Sequence, residues 1–170
     1  MGPISVSTVV DQPRERVFDF VCDLANREAF CDHFITELRL ERVDSAGVGA
    51  AARFKISPPL TTMWFETVIE DAERPHQIYE RGHGGRLDRM AVNTVWEMVA
   101  GPAGSTELRL SFWTEPTHPL DRVRERLGAT RWYRRQWSRA LQRLREMIET
   151  DAEVKRVGIA GEDRVPVAPR

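Results

Sequence analysis

The chain has 170 residues, of which 41% are hydrophobic and 30% charged, the balance of one ordinary globular domain. Its 25 Lys and Arg against 26 Asp and Glu leave a net charge of −1, which excludes, for the chain taken whole, the electrostatic footprint of a nucleic-acid binder or a polybasic membrane binder. No run approaches the roughly 20 apolar residues of a bilayer span, and Met1-Gly2-Pro3-Ile4 has neither the basic start nor the apolar stretch of a secretory signal, so a cytoplasmic protein without stable membrane insertion is expected.

Ile4 to Val10 alternates apolar with small polar residues and is rich in β-branched side chains, which predicts a strand with one wet face. Asp11-Gln12-Pro13 then supplies a helix start, and Val17, Phe18, Phe20, Val21 and Leu24 recur at helical spacing through Arg14 to Leu24. Asn26 reads as the N-cap of a second short helix carrying Ala29, Phe30 and Phe34. Strands follow. Ile35 to Asp44 puts Leu38 and Leu40 on one side and Glu37, Arg39 and Glu41 on the other, and Ser45 to Gly49 is a turn. Ala52, Phe54 and Ile56 form the next apolar face, which Pro58-Pro59 ends because neither residue can donate to a ladder.

Thr62 to Ala72 and, after Pro75, Gln77 to Gly82 are further strands. Met90 to Ala100 and Thr106 to Glu115 read as a hairpin across Gly101 to Ser105, with Val92, Thr94, Trp96 and Met98 on one face and Leu108, Leu110 and Phe112 on another. Strands joined by connections this short pair antiparallel. From Pro119 to Glu149 the apolar positions Leu120, Val123, Leu127, Trp137, Leu141, Leu144 and Ile148 step by three, four and seven, one buried stripe on a helix of roughly 30 residues. Residues 1–150 thus read as one domain and 151–170, with Gly158, Gly161, Pro166 and Pro169, as a flexible tail.

The sum is an α+β domain in which an antiparallel sheet must curl around the closing helix to bury its apolar face. A curved sheet and a straight helix cannot touch along their whole length. The gap between them takes bulky side chains or a ligand.

Ile4-Ser5-Val6-Ser7-Thr8-Val9-Val10-Asp11-Gln12-Pro13 followed by Val17-Phe18-Asp19-Phe20-Val21 resembles the opening of the START-like (SRPBCC, Bet v 1-like) superfamily, in particular its polyketide cyclase/dehydrase-type branch. Val95-Trp96-Glu97, a glycine-containing turn and Thr106-Glu107-Leu108 are similar to that superfamily's penultimate hairpin. The resemblance spans about residues 4 to 149. It implies a helix-grip fold, a curved sheet of about seven strands in the order β-α-α-β6-α wrapped around a long C-terminal helix. It also implies a hydrophobic lipid- or polyketide-like ligand in an internal cavity, with a polyketide cyclase/dehydrase-type enzyme as the alternative. In the aromatase/cyclases of that superfamily, pocket arginine and tyrosine side chains are thought to position a poly-β-ketone. No specific catalytic motif of theirs maps onto this chain, so no catalytic residue is assigned.

The expected lining is Phe54, Met63, Phe65, Ile78, Trp96, Met98, Phe112, Trp137 and Leu141, with Phe30 and Phe34 near the mouth. These side chains either pack on one another or, being aromatic and Met-rich as a set, adapt to an apolar guest. In the strand from Gln77, the side chains of Tyr79, Arg81 and His83 fall on one side and those of Ile78 and Glu80 on the other. Whichever side faces in brings a charge into an apolar space, and that charge requires a partner. Arg134 shares a helical stripe with Thr130, Trp137 and Leu141 and is expected to point toward the sheet, either into the cavity or across the edge of the core. The ligand-binding candidates are therefore Phe30, Phe34, Phe54, Met63, Phe65, Tyr79, Arg81, Trp96, Phe112, Arg134 and Trp137. Tyr79, Glu80, Arg81 and His83 are the applicants for acid–base work.

Cys22 and Cys31 read as buried reduced thiols. The scattered His33, His76, His83 and His118 form no metal-ligand spacing, so neither metal nor cofactor is expected. Gly82-His83-Gly84-Gly85-Arg86 leads from strand to strand and reads as a loop at the cavity mouth, and no P-loop, GxSxG or HExxH motif occurs. Asp121 to Glu149 carries nine arginines against four acids, but the interleaved glutamates and the lack of a nucleic-acid motif argue against a nucleic-acid partner. A homodimer is compatible with this reading. A third possibility is an interaction protein with a collapsed cavity, marked by an exposed Trp113 and Trp132.

Overall fold

Period-two alternation places the strands, and the order in which they pair bends them into a half-barrel. The computed structural model describes residues 2–58, 62–85, 89–116 and 129–150. His118, the helical stretch expected over 119–128 and the tail beyond 150 lie outside the described residues. The chain runs β1 (Ile4–Val10), α1 (Arg14–Cys22), a 3-10 turn (Leu24–Asn26), α2 (Arg27–Cys31), β2 (Ile35–Leu40), β3 (Ala51–Ile56), β4 (Met63–Glu73), β5 (Gln77–Gly84), β6 (Met90–Ala100), β7 (Thr106–Pro116) and α3 (Thr130–Thr150). The seven strands form one antiparallel sheet in the order β1-β7-β6-β5-β4-β3-β2. β1 is zipped to β7 from Ile4↔Phe112 to Val10↔Thr106 without a register break, so the two ends of the domain hold each other.

The inner face carries Phe54 and Ile56 from β3, Phe65 and Ile69 from β4, Ile78 from β5, Trp96 and Met98 from β6, and Leu108, Leu110 and Phe112 from β7, all buried. Bulges between Thr36 and Arg39 and between Ile69 and Asp71 interrupt the ladders and increase local twist. β5 runs on to Gly84, two residues past the strand end expected at Gly82, so His83 and Gly84 belong to the strand and not to the loop expected there. The reason is steric. A Cβ at Gly82 would lie 1.9 Å from the Glu66 carbonyl oxygen, and one at Gly84 would lie 2.3 Å from that of Trp64. Here β5 comes so close to β4 that only glycine fits.

Other local readings shift for equally simple causes. β2 ends at Leu40, short of the strand expected to Asp44; past the Leu40↔Ala52 register Glu41 N still donates to the Ala51 carbonyl at 2.9 Å, where β3 itself begins. Asn26 holds the N-cap position of α2 as expected, but its side chain makes no capping bond: its amide donates to the Phe20 carbonyl at 2.9 Å, while the Asp23 side chain accepts from Ala25 N at 3.0 Å. Cys22 and Cys31 are buried free thiols, and burial pushes both thiol pKa values up.

α3 buries Tyr133, Trp137, Ala140, Leu141, Leu144 and Ile148. Arg134 is exposed, contrary to the expectation that it faces the sheet. The inner position one turn before Trp137 is taken by Tyr133, whose ring lies 5.0 Å from that of Phe112; the aromatic side chain gains more from burial than a guanidinium. The backbone of α3 approaches chiefly β1 and α2. Side chains span the rest of the gap: the Trp137 ring lies 5.1 Å from Phe34, 5.7 Å from Phe112 and 5.8 Å from Trp96.

Gly82→Ala forces β4 and β5 apart and is expected to destabilise the fold by at least the cost of an overpacked core, about 1–3 kcal/mol. Urea unfolding would show a lower midpoint, and an unchanged midpoint would refute the steric reading.

Candidate functional site

Parity decides what β5 sends inward. Ile78 and Glu80 face the interior, and Tyr79, Arg81 and His83 face outward. Glu80 is 2% exposed, so a carboxylate stands among aromatic side chains, and its partner comes from α2. Arg27, 3% exposed, donates Nη1 to Glu80 Oε2 at 3.1 Å and Nη2 to Oε1 at 2.6 Å. Trp96 Nε1 donates to Oε1 at 2.7 Å and the Thr67 hydroxyl to Oε2 at 3.3 Å. Each carboxylate oxygen therefore accepts two hydrogen bonds. The Arg27 guanidinium also sits 5.1 Å from the Trp96 ring centroid, a cation–π contact in a desolvated setting. Burial weighs against the charge of Arg27, but the Glu80 carboxylate more than offsets this, and the guanidinium holds its proton more firmly than an ordinary arginine.

Arg27 was not among the expected site residues. Its signal is the i, i+3, i+4 spacing of Arg27, Phe30 and Cys31, which puts the arginine on the buried face of α2. It becomes visible once Glu80 is known to need a cation.

Between the pair and α3 the described residues leave a cavity of about 10 Å³, room for about one water molecule. Arg27, Phe54, Phe65, Glu80, Phe112 and Trp137 are among its walls. The expected hollow of ligand size is, among the described residues, filled by the aromatic side chains themselves, with Trp137 reaching across from α3. Two buried donors, Arg27 Nε and Trp137 Nε1, have no hydrogen-bond partner among the described residues; such a group costs about 1–3 kcal/mol.

The structure brings Phe30, Phe34, Phe54, Met63, Phe65, Trp96, Phe112 and Trp137 to the interior. It does not bring Tyr79, Arg81 or Arg134 there. Tyr79 donates its hydroxyl to Asn93 Oδ1 at 2.8 Å on the outer face of the sheet, and Arg81 is exposed beside it. Trp113, on the same face, donates to Glu115 at 3.0 Å, and Trp132 packs edge-on to Phe34 at 6.1 Å; both are half-buried. Among the described residues no group of three His, Cys, Asp or Glu gathers as a metal set, and no helix is long and apolar enough to cross a membrane.

The end of α2 is tied to α3. Arg143 makes a two-pronged pair with Asp32, donates Nη2 to the Ala29 carbonyl at 3.0 Å and Nη1 to His33 Nδ1 at 3.2 Å. With Nδ1 accepting, His33 carries its proton on Nε2 and donates it to the Gln136 carbonyl at 3.2 Å. Burial pulls the His33 pKa down, the bond to Gln136 opposes this, and the arginines at 139 and 143 add to the downward pull.

The chain matches no family model and no curated protein sequence. It shares its fold with solved structures at low sequence identity. An aromatase/cyclase from Streptomyces sp. R1128, ZhuI, superposes with a TM-score of 0.67 at 16% identity, over 89% of this chain and 96% of that one. A protein of Thermus thermophilus gives 0.67 at 15%, over 89% and 100%. A START superfamily protein of Mycobacterium smegmatis gives 0.58 at 16%, over 88% and 95%.

Replacing Glu80 by Gln leaves Arg27 buried without its counter-charge and is expected to cost about 3–5 kcal/mol, whereas the double replacement Arg27→Met, Glu80→Leu is close to neutral. Chemical denaturation of the singles Arg27→Met and Glu80→Leu and of their double variant closes a cycle on the pair, with Glu80→Gln as the isosteric control. The His33 contribution to stability is complete above its unfolded pKa of 6.5 and is lost as pH falls below it, because the unfolded chain takes up the proton more readily. Melting temperature should therefore drop between pH 7 and 5, and His33→Gln should flatten that drop.

Proposed function

We propose that this chain binds a hydrophobic small molecule, lipid- or polyketide-like, in the interior between the sheet and α3, against the Arg27–Glu80 pair. The observation that carries the reading is that pair. For stability alone, a buried ion pair is matched or bettered by apolar side chains of similar volume, yet here one stands at the end of an aromatic interior with two further donors unused beside it. The proposed lining keeps Phe30, Phe34, Phe54, Met63, Phe65, Trp96, Phe112 and Trp137, and takes Arg27 and Glu80 in place of Tyr79, Arg81 and Arg134. The likeness in fold to an aromatase/cyclase and to a START superfamily protein supports it.

A guest of useful size displaces side chains, not backbone. Across the gap α3 meets the inner face through tilted and edge-on rings, contacts that rotate apart at low cost compared with a broken strand ladder. A second reading, an enzyme of the cyclase/dehydrase type in the same interior, draws on Glu80 as the carboxylate placed there. To act as a base, Glu80 would first have to release Arg27, Trp96 and Thr67. Its full set of partners favours binding over catalysis.

The neutral fluorophore N-phenyl-1-naphthylamine tests the reading. Saturable uptake at one molecule per chain is expected, and Phe54→Ala, which enlarges the space beside the pair, should bind more tightly while losing about 3–5 kcal/mol of stability. Absence of saturable uptake by both proteins would sink the proposal.

A further inference from the structure

We infer that the polar group of the bound molecule is a neutral hydrogen-bond acceptor, such as a ketone, ester or quinone oxygen, rather than a carboxylate, and that Trp137 selects it. The inference rests on the binding reading just proposed and adds the chemistry of the ligand to it.

The charge balance of the interior comes first. Among the described residues, the buried charged side chains are Arg27 and Glu80, and they are joined by two hydrogen bonds. The interior is therefore neutral before any guest arrives. A ligand carboxylate would have to share Arg27 with Glu80 or face that carboxylate across a low-dielectric space, and either arrangement leaves negative charge uncompensated. A ligand cation would face Arg27, while each Glu80 oxygen already accepts two bonds.

The unused hydrogen-bonding capacity comes second. The two indoles at the site differ in one respect. Trp96 spends its N–H on Glu80 at 2.7 Å. Trp137, whose ring centroid is 5.8 Å away, spends its N–H on no described residue. Arg27 likewise leaves Nε–H unspent after committing both terminal nitrogens. Arg27 and Trp137 both line the same small cavity. Two unused donors on residues that line one cavity, with no net charge, describe a site for an uncharged oxygen, which has lone pairs to accept from an N–H.

Isothermal titration with three matched naphthalenes separates the cases: 2-acetonaphthone, 2-naphthoate and 2-ethylnaphthalene. The ketone should bind about tenfold more tightly than the hydrocarbon, the gain of a hydrogen bond to otherwise unpaired buried donors, and the carboxylate should be the weakest of the three. Trp137→Phe keeps an aromatic, though smaller, side chain and removes the N–H. It should erase most of the ketone's advantage over the hydrocarbon, so the readout is the ratio of the two affinities within the variant. Carboxylate binding tightest, or equal binding of all three, would overturn the inference while leaving the binding reading intact. Binding of none of the three would overturn both. The ranking in the unmodified protein decides the matter even if the Trp137 variant does not fold.

Discussion

The Arg27–Glu80 pair is the constraint on which the interior depends. A carboxylate on the inner face of a sheet is tolerable only with a cation held against it, and the short helix α2 supplies that cation. Five residues of helix have no independent stability, so α2 exists because its faces are bound on both sides. Arg27, Phe30 and Cys31 commit it to the sheet, while Asp32 and His33 commit it to α3 through Arg143 and Gln136. It is a bracket between the two layers, and it carries the polar end of the site.

What lies between those layers is a matter of side chains. The backbone of α3 follows β1 and α2, and large rings from both sides fill the space over the middle strands. The consequence is an interior that is well filled yet held across its middle by ring contacts, which constrain orientation less than ladder hydrogen bonds do. The strongly constrained parts lie elsewhere: the unbroken β1–β7 ladder, and the glycine positions of β5, where the carbonyls of Glu66 and Trp64 leave no room for a side chain. The rigid frame and the adaptable filling are thus separate features of one domain.

The outer face tells a contrasting story. Tyr79, Asn93, Trp113 and Glu115 form a hydrogen-bonded row across β5, β6 and β7, and Arg53 and Lys55 both lie over the Trp64 ring. Tyr79, a pocket candidate in the sequence, and Trp113 are here half-buried and spend their polar atoms within the sheet. The same residue types serve two purposes, and only the face on which they land separates them.

Local periodicity was enough for the class of fold. The alternation of Val92, Thr94, Trp96 and Met98, the run of Leu108, Leu110 and Phe112, and the helical stripe through Trp137, Leu141, Leu144 and Ile148 each report a buried face, because hydrophobic burial acts residue by residue along a regular element. Other features were not legible there. The parity of β5 was undecided because each of its sides carries an ionisable group; the choice came from Arg27, 53 residues earlier in the chain. The exchange of Arg134 for Tyr133 at the inner position turned on a fraction of a helical turn and on the nearness of Phe112. The size of the hollow depended on how rings from separate strands and helices close on one another. Periodicity is a property of neighbours in the chain, whereas pairing and volume are properties of neighbours in space, and these only the assembled tertiary structure decides.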